Sequence, residues 1–358
     1  MRVLHINAGN ENGGARTYIV NLMKGQETTD TDSRLMTFED GPVAKMARDN
    51  GLNVIVMPQK KRFDLSILTP IVSYIETNHI DIVHTHGPRA NFILSLIRKR
   101  INAVWVTTVH SDPRIDFSGL KGKVMLQMNL HALKKVDYIF YMNPDLVSYF
   151  DSLKIPERKT IEVFNAIDFK QRIPEPRKHK IFSLLMVARL VEVKNHELML
   201  KALGKLDFDF KMVFVGDGPL MAQLKQQANK LNISKKVSFV GFHENTGDYY
   251  DECDVSVLTS KSESLPTVYL ESALHGRPVI ATNVGATDKI ISSKTGWLVE
   301  SENVSELVEA LNSAYQDWLN DDLDQKGMEL YQEAKSKYSI EKLADAVNVG
   351  YKNALKSK

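Results

Sequence analysis

Short apolar runs alternate with amphipathic stretches along most of the 358-residue chain. The runs are rich in Val, Ile and Leu and about five to eight residues long, which is typical of strands buried on both faces. Because parallel strands need a crossover between them, the alternation predicts parallel sheets covered by helices on both sides. The predicted strands are residues 2–7, 33–38, 53–57, 81–86, 103–109, 137–142 and 160–164 in the first half, and 181–188, 211–216, 236–241, 254–259, 278–282 and 296–300 in the second.

One stretch interrupts this alternation near the middle of the chain. Residues 168–180, DFKQRIPEPRKHK, are charged and contain two prolines, so they predict a linker. The sequence therefore predicts two doubly wound α/β domains, residues 1–167 and 181–337, each the size of one nucleotide-binding domain. The C-terminal part is predicted to be helical, at residues 303–318, 324–337 and 339–357.

The composition excludes several functional classes. A formal net charge of +2 gives no global signal for nucleic-acid binding. Cys253 is the single cysteine, so no intrachain disulfide can form, which fits a reducing compartment. The apolar runs are far shorter than the roughly 18 residues of a membrane span, and the N-terminus is too polar for a signal peptide. We expect a cytoplasmic protein, with a membrane surface as its only membrane contact.

The first strand is followed by a loop with two adjacent glycines. Gly13 and Gly14 precede a predicted helix, so their backbone can approach a ligand at the positive helix end. Their spacing from Gly9 does not fit the dinucleotide fingerprint G-x-G-x-x-G. A tight turn without a ligand explains the pair equally well.

Histidines collect at the predicted strand ends of the first half. His84 and His86 lie two residues apart on one strand and face the same side, and His5 lies in the first strand. A zinc site is conceivable, but no Cys partner and no H-E-x-x-H segment accompanies them, so hydrogen-bonded strand residues without metal are favoured. His110 is the exception, because it leads into a polar loop with Asp112 that we expect to open on a cleft between the domains.

Two cations follow the first strand of the second half. Arg189 and Lys194, in the segment VARLVEVKNHE, fall in a strand-to-helix turn. Arg as a bidentate donor and Lys as a point charge suit a diphosphate. A pair of solvated surface cations is the alternative reading of this loop alone.

The segment SESLPTVYLES sets two acids eight positions apart around a predicted helix start. Pro266 suits the first helical position, so Glu263 lies on the loop and Glu271 lies inside the helix. Helical side chains lean toward the N-terminus, so Glu271 reaches back toward the end that Glu263 borders. Between the acids are anion-binding backbone N–H groups, at Leu265, Thr267 and Val268. Hydroxyls at both ends of a ligand and phosphate in its middle would satisfy this pattern, as in a nucleotide sugar. A solvent-exposed Glu271 is the simpler alternative.

Together these residues resemble the retaining glycosyltransferases of family 4. That family has the GT-B fold, in which two doubly wound, Rossmann-like domains face each other across a cleft. Glu263 and Glu271 match its E-x7-E motif, and Arg189 and Lys194 match its R-L-x-x-x-K segment. The similarity extends in the right order over nearly all of residues 1–300.

Other segments add to the resemblance or depart from it. Gly13 and Gly14 match the double-glycine loop, and VFNAID, VSFVGF, DIVHTHG and TTVHSD look like further family segments. The sequence departs from the family at three places: Leu265–Pro266 replace a common Gly-Phe pair, and Ala166 and Ala188 each replace a common glycine. The charge pattern is unaffected by these departures.

The resemblance implies transfer of a sugar from a nucleotide donor to an acceptor hydroxyl with retention of configuration, without a metal ion or cofactor. It assigns the departing diphosphate to Arg189 and Lys194, the donor sugar to Glu263 and the ribose to Glu271. His110 is implied to lie near the reaction centre. The remaining donor-binding positions by this resemblance are Gly13, Gly14, Phe242, Leu265, Thr267 and Val268.

The resemblance also implies the partners. The donor is expected to be a nucleotide sugar, and UDP is expected as its carrier because UDP is frequent in the family. The acceptor is expected to be a carbohydrate or a lipid-linked glycan. The transferred group would be a hexosyl or N-acetylhexosaminyl group, in the synthesis of cell-surface polysaccharide or glycolipid. No nucleic acid is expected. The last helix, residues 338–358, is implied to cross back to the first domain. Basic clusters in the first half predict peripheral contact with the inner membrane face, at residues 60–62, 98–100, Lys121, Lys123, Lys134 and Lys135.

Two alternatives stay open at the level of the sequence. One is a nucleotide-sugar epimerase or phosphorylase on the same fold. The other is a non-catalytic partner that binds a nucleotide sugar.

Overall fold

The chain divides into two compact units. A computed structural model describes residues 1–11, 13–59, 64–110, 119–144, 146–176 and 178–357. The first unit comprises Met1–Asp168 and Tyr338–Lys358, and the second comprises Phe169–Lys337.

The first unit is built on a seven-stranded parallel sheet. Its strand order is β3-β2-β1-β4-β5-β6-β7. All seven apolar runs of the first half form strands, as predicted. The strands are β1 (Arg2–Asn7), β2 (Asp32–Thr37), β3 (Val54–Val56), β4 (Ile82–His86), β5 (Val104–Val109), β6 (Tyr138–Tyr141) and β7 (Thr160–Glu162).

Helices cover both faces of this sheet. Neighbouring residues of β1 enter different apolar clusters: Leu4 and Ile6 pack in one, and Val3 packs in the other. This alternation follows from the period of two along a strand and explains why its run is apolar throughout. The helices are α1 (Gly14–Gln26), α2 (Pro42–Asp49), α3 (Leu68–Thr77), α4 (Pro88–Ile97), α5 (Gly119–Leu133), α6 (Leu146–Ser152) and, at the C-terminus, α13 (Ile340–Lys356).

The second unit contains a six-stranded parallel sheet in the order β10-β9-β8-β11-β12-β13. The six apolar runs of the second half form these strands, which are β8 (Phe182–Val187), β9 (Phe210–Val215), β10 (Val237–Gly241), β11 (Val255–Leu258), β12 (Val279–Thr282) and β13 (Gly296–Val299). Its helices are α7 (His196–Leu203), α8 (Met221–Lys230), α9 (Gly247–Asp251), α10 (Thr267–Leu274), α11 (Val304–Leu319) and α12 (Leu323–Tyr338). The three helices predicted after residue 302 are therefore confirmed within about two residues.

Both sheets reverse their strand order beside the first strand of the unit. In the first unit β1 pairs with β2 on one side and β4 on the other, and in the second β8 pairs with β9 and β11. In such sheets the crevice at the carboxyl ends of the two diverging strands is the usual ligand site. The predicted fold class, two Rossmann-like parallel sheets, is confirmed, and it gives each unit one such switch point.

The start of the predicted linker packs onto the second unit. Phe169 is 2% exposed, and its ring centroid lies 5.6 Å from that of Tyr331. Arg172 forms an ion pair with Asp251 at 2.7 Å. Because one aromatic side chain and one cation in this charged stretch find partners, the second unit begins at Phe169 rather than after residue 180.

The last helix, α13, belongs to the first unit. Its buried side chains Leu343, Val347 and Tyr351 join the same apolar cluster as Val3. The tyrosine brings a hydroxyl group under the carboxyl edge of the sheet, where it hydrogen-bonds to His84. Within the described part of the chain, no helix combines the length and apolar character needed to cross a bilayer.

Candidate functional site

The second unit brings two loops together at its switch point. We call residues 188–195, after β8, the arginine–lysine loop, and residues 259–266, after β11, the glutamate loop. The N–H of Lys261 donates to the Val193 carbonyl at 2.8 Å, and the Thr259 hydroxyl donates to the Asn195 carbonyl at 3.0 Å. The two predicted motifs therefore lie on one edge of one sheet and are bonded to each other.

A salt bridge between two of the predicted site residues joins these loops. Lys194 Nζ donates to Glu263 Oε1, and the two side chains are only 19% and 10% exposed. A pair this shielded from water interacts more strongly than a surface pair. Lys194 and Glu263 therefore act as a unit, so a phosphate that binds Lys194 shares the cation with the carboxylate.

Arg189 stands at the end of β8 and is exposed. Among the described residues, no hydrogen bond or ion pair of its guanidinium group is found. Its backbone is held in place, since the Val191 N–H donates to the Arg189 carbonyl at 2.9 Å. An anchored backbone and a free guanidinium leave Arg189 available for an anionic ligand.

The glutamate loop leads into α10, which begins one residue later than predicted. Pro266 has an extended backbone (φ −70°, ψ 137°), and the helix starts at Thr267. The N–H groups of Thr267 and Val268 lie in the first turn, where no preceding helical carbonyl can accept them. This turn contains no acidic residue, so the positive end of the helix is not neutralised by its own side chains. Leu265 is buried beside it at 2% exposure.

A third loop, after β12, fixes the backbone of the glutamate loop. The Ala286 N–H donates to the Ser264 carbonyl at 3.0 Å. Gly285 has a φ of +62°, and a Cβ added there would lie 1.9 Å from the Glu263 carbonyl oxygen. Only glycine permits this approach, so Gly285 helps to set the position of Glu263.

Glu271 lies inside α10 and faces the hydroxyl groups of Tyr250, Thr246 and Thr267. The Tyr250 hydroxyl donates to its Oε2 at 3.2 Å, and the Thr246 hydroxyl does so at 3.4 Å. Burial raises the pKa of Glu271, and the hydrogen bonds from Tyr250 and Thr246 partly oppose that rise. The structure thus places Glu271 in an enclosed polar environment rather than on a solvated helix face. No sequence pattern pointed to Tyr250 or Thr246, since both precede β11 in an unremarkable helical segment.

Phe242 follows β10 and is 75% exposed. A large exposed aromatic ring at the carboxyl edge of a sheet is suited to stacking on a flat ligand group. Its position is compatible with the donor-binding position that the resemblance implies for Phe242.

The first unit holds the other predicted residues. Gly13 is the residue before α1, and Cβ atoms added to Gly13 or Gly14 would meet no atom within 4 Å. The glycines therefore border open space at the positive end of α1. The first turn of α1 carries Arg16 and no acidic residue, which favours an anion there.

His110 lies after β5 but turns inward. Its Nε2 lies 3.4 Å from His86 Nδ1, and its Nδ1 lies 3.2 Å from the sulfur of Met142. Burial lowers the pKa of His110 to about 4, so the ring is neutral at neutral pH. The expectation of an open loop included Asp112, which lies outside the described residues. The ring turns inward because His86, from the neighbouring strand β4, lies within hydrogen-bonding distance of its Nε2.

His5, His84 and His86 form a buried cluster whose ligand atoms lie within 4.8 Å of one another. In the described part of the chain, the spacing of these three histidines would allow them to hold a metal ion. The rings instead contact protein groups: His5 contacts Gln26 and His86 at 3.0 Å each, and His84 contacts Tyr351 at 2.6 Å and Thr108 at 2.7 Å. These ring nitrogens already have hydrogen-bond partners in the protein, and a metal ion would have to displace those partners.

Family comparisons cover both units. The sequence model of the family described as Glycosyltransferase Family 4 matches residues 12–171. The model described as Glycosyl transferases group 1 matches residues 167–336. The two matches meet near the boundary between the units and together span most of the chain.

Individual proteins agree with these matches. N-acetyl-alpha-D-glucosaminyl L-malate synthase of Bacillus anthracis is 26% identical over 254 residues, 66% of this chain and 66% of that protein. N-acetylgalactosamine-N,N'-diacetylbacillosaminyl-diphospho-undecaprenol 4-alpha-N-acetylgalactosaminyltransferase of Campylobacter jejuni is 31% identical over 178 residues, 48% of each. The chain thus spans about half to two thirds of the length of these relatives.

A solved structure shares the whole architecture. The crystal structure of Anabaena HepE in complex with UDP and glucose has a TM-score of 0.80 with this chain at 18% identity and covers 98% of both chains. At that identity the likeness shows the fold. With family matches over both units and a shared fold, this chain belongs to the glycosyltransferases of family 4 and has the GT-B fold.

Proposed function

We propose that this glycosyltransferase moves a sugar from a UDP-sugar to an acceptor hydroxyl with retention of configuration and without a metal ion. The observation that carries the proposal is the Lys194–Glu263 pair beside the free guanidinium of Arg189. Two cations at a strand edge offer the charge that a metal ion supplies to a diphosphate elsewhere. The choice of UDP is supported by the Anabaena protein of the same fold, whose structure contains UDP.

Each donor group has a candidate partner in the second unit. Arg189, Lys194 and the first-turn N–H groups of α10 face the diphosphate. Glu263 accepts hydrogen bonds from hydroxyls of the sugar, Glu271 accepts them from the ribose, and Phe242 stacks on the base. In the first unit, Gly13, Gly14 and His110 are proposed to contact phosphate or hydroxyl groups of a substrate.

The reaction needs charge stabilisation more than a general base. The bond from the anomeric carbon to the diphosphate oxygen breaks, and the bond to the acceptor oxygen forms on the same face of the sugar. The acceptor proton passes to the departing phosphate oxygen. Negative charge grows on the diphosphate as its bond breaks, so preorganised cations and amide dipoles lower the barrier. Arg189 and Lys194 therefore contribute most in the transition state.

A donor panel tests this proposal. The protein is incubated with UDP-, GDP- and ADP-sugars and a panel of acceptors after exhaustive chelation. We expect UDP release that requires acceptor, together with a product whose anomeric configuration matches the donor. An epimerase would convert the donor sugar even when no acceptor is present. A non-catalytic binding protein would have a higher Tm in the presence of UDP but would release no UDP from the donor. Loss of activity on chelation, restored by Mg²⁺ or Mn²⁺, would contradict the metal-independent site.

The acceptor is proposed to be a lipid-linked or growing polysaccharide glycan, reached at a membrane surface. The Campylobacter jejuni relative is named for a diphospho-undecaprenol acceptor, whereas the Bacillus anthracis relative is named for L-malate. Exposed cations of the first unit that support membrane contact are Lys99, Arg100, Lys123, Lys134 and Lys135. The predicted cluster at 60–62 and the side chain of Lys121 lie outside the described residues. Arg98 pairs with Asp137 at 2.8 Å, which reduces its availability for lipid.

Vesicle co-sedimentation tests the membrane contact. Each cation near an anionic surface contributes about 1 kcal/mol, so binding to anionic vesicles at low salt is expected and should fall as salt rises. The triple variant Lys99→Glu, Arg100→Glu, Lys134→Glu should lose it, and the control Lys211→Glu, Lys235→Glu in the second unit should keep it. Binding to neither anionic nor neutral vesicles at low salt would favour a soluble acceptor.

A further inference from the structure

A glutamine and three histidine rings form one hydrogen-bonded chain beneath the carboxyl edge of the first unit's sheet. Gln26 Oε1 lies 3.0 Å from His5 Nε2, His5 Nδ1 lies 3.0 Å from His86 Nε2, and His86 Nδ1 lies 3.4 Å from His110 Nε2. We call these four residues the histidine chain. It runs from α1 across β1 and β4 to the residue that follows β5.

The rings of the histidine chain are neutral. Burial lowers the pKa of His5 and of His110 to about 4 and that of His86 well below its usual value. A neutral imidazole has one N–H and one bare nitrogen, so each ring must donate on one side and accept on the other. The chain therefore has two directions only. Either the amide oxygen or the amide nitrogen of Gln26 faces His5. That choice determines which nitrogen of His110 carries the proton.

Tyr351 of α13 fixes that direction. Its hydroxyl oxygen lies 2.6 Å from His84 Nδ1, a distance typical of O–H donors and too short for most N–H donors. Tyr351 thus donates its single hydroxyl hydrogen to His84. At its 3.4 Å contact with Gln26 the tyrosine can only accept, so Gln26 turns its amide nitrogen to Tyr351 and its oxygen to His5.

The remaining protons follow from this assignment. His5 donates from Nε2 to Gln26, His86 donates from Nε2 to His5, and His110 donates from Nε2 to His86. His110 Nδ1 is then bare, and it lies 3.2 Å from Met142 Sδ. A thioether has no hydrogen to donate, so this contact does not satisfy the nitrogen. Among the described residues, no N–H or O–H group donates to His110 Nδ1.

We infer that Gln26, His5 and His86 are positioning residues that hold His110 with Nδ1 bare, so that His110 accepts a hydrogen bond from a substrate hydroxyl. A bare imidazole nitrogen attracts an O–H donor and repels phosphate oxygens, which carry lone pairs and negative charge. His110 is therefore matched to a sugar hydroxyl rather than to the diphosphate. The substrate part of this inference rests on the proposed function, whereas the protonation pattern does not.

The consequence is that a residue of the C-terminal helix controls the protonation of His110. Replacing Tyr351 by phenylalanine keeps the ring but removes the hydroxyl that orients Gln26. The amide can then turn over, the chain can reverse, and His110 Nδ1 can take up the proton and donate weakly to the Met142 sulfur. No change in the contacts of His110 itself is needed.

Nitrogen-15 NMR of the histidine-labelled full chain, without substrate, tests the protonation pattern. We expect His110 in the wild type to carry its proton on Nε2, and the Tyr351→Phe variant to show a mixed or reversed His110 tautomer. Tyr138→Phe is the matched control, because Tyr138 is also a buried tyrosine of the first unit, and among the described residues its hydroxyl hydrogen-bonds only to the Thr160 carbonyl, at 3.5 Å. A wild-type proton on Nδ1, or an unchanged tautomer in Tyr351→Phe, would overturn the inference.

A transfer assay on the same variants tests the substrate part. Loss of one hydrogen bond to a hydroxyl should lower kcat/KM about three- to tenfold in Tyr351→Phe and leave Tyr138→Phe unchanged. Gln26→Met, which removes the end acceptor, should act like Tyr351→Phe and replaces it if that variant does not fold. A reversed tautomer with unchanged kcat/KM would remove His110 from the substrate contacts. If the wild type has the expected tautomer but transfers no sugar, the proposed function fails while the positioning chain stands.

Discussion

We expect the turnover of the Lys194→Ala variant to be at least about tenfold lower than that of the wild type. On the proposed function, removing Lys194 deletes a charge-assisted contact to the departing diphosphate, worth roughly 1.5–3 kcal/mol. Since about 1.4 kcal/mol of barrier corresponds to a tenfold change in rate, turnover should fall by about ten- to a hundredfold. The variant also removes the cation that pairs with Glu263. Steady-state kinetics with saturating donor measures the effect.

The control for this variant is Lys201→Ala. Lys201 forms an exposed ion pair with Glu197 at 2.6 Å on α7, shortly after the arginine–lysine loop. Exposed pairs contribute little, so turnover should stay within about twofold of the wild type. The effects of Lys194→Ala and Glu263→Gln should not add in the double variant, because the two side chains form one pair. Unchanged turnover in a folded Lys194→Ala protein would remove Lys194 from the diphosphate site.

Gly285→Ala is expected to lower turnover by up to about a hundredfold while most of the fold persists. The new Cβ would lie 1.9 Å from the Glu263 carbonyl oxygen, so the glutamate loop must move. A displacement of about 1 Å in a positioning group can cost a hundredfold in rate. The left-handed backbone adds about 1–2 kcal/mol of strain for a residue with a side chain, which should lower Tm. Turnover and thermal denaturation together measure both effects.

Gly51→Ala separates strain from displacement. Gly51 also has a left-handed backbone, with φ +75°, but a Cβ there meets no atom within 4 Å. It should therefore lower Tm without affecting turnover. Equal turnover losses in Gly51→Ala and Gly285→Ala would show that strain alone explains the result and that the contact with Glu263 is irrelevant.

Most of the fold is readable from the sequence because burial on both faces imposes long apolar runs. In β4 and β5 every residue is buried, so the runs stand out even though they contain histidines and threonines. Element boundaries are less predictable. The shift of the α10 start from Pro266 to Thr267 reflects an extended proline that the pattern cannot distinguish from a helical one. The packing of Phe169 on Tyr331 is likewise a tertiary contact that a charged stretch conceals.

The charged residues that we propose for donor binding stand out in the sequence, but their contacts in the fold do not. The spacing of Glu263 and Glu271 predicts one acid on the loop before a helix and one inside that helix, yet nothing local indicates that Glu263 pairs with Lys194, 69 residues away. Two of the hydroxyl groups that contact Glu271, those of Tyr250 and Thr246, come from a segment with no motif. His110 was noted as a strand-end residue, but its inward orientation depends on side chains of β1, β4 and α1 that meet only in the folded sheet.

Titration calorimetry of UDP into the chelator-treated protein tests most directly whether the second unit binds a nucleoside diphosphate through its switch-point loops. Arg189→Ala is the diagnostic variant, since its exposed side chain makes a folding defect improbable. We expect the wild type to bind UDP without a metal ion and Arg189→Ala to bind it at least about tenfold more weakly. Equal affinities of the two proteins, or binding by the wild type only when Mg²⁺ or Mn²⁺ is present, would contradict it.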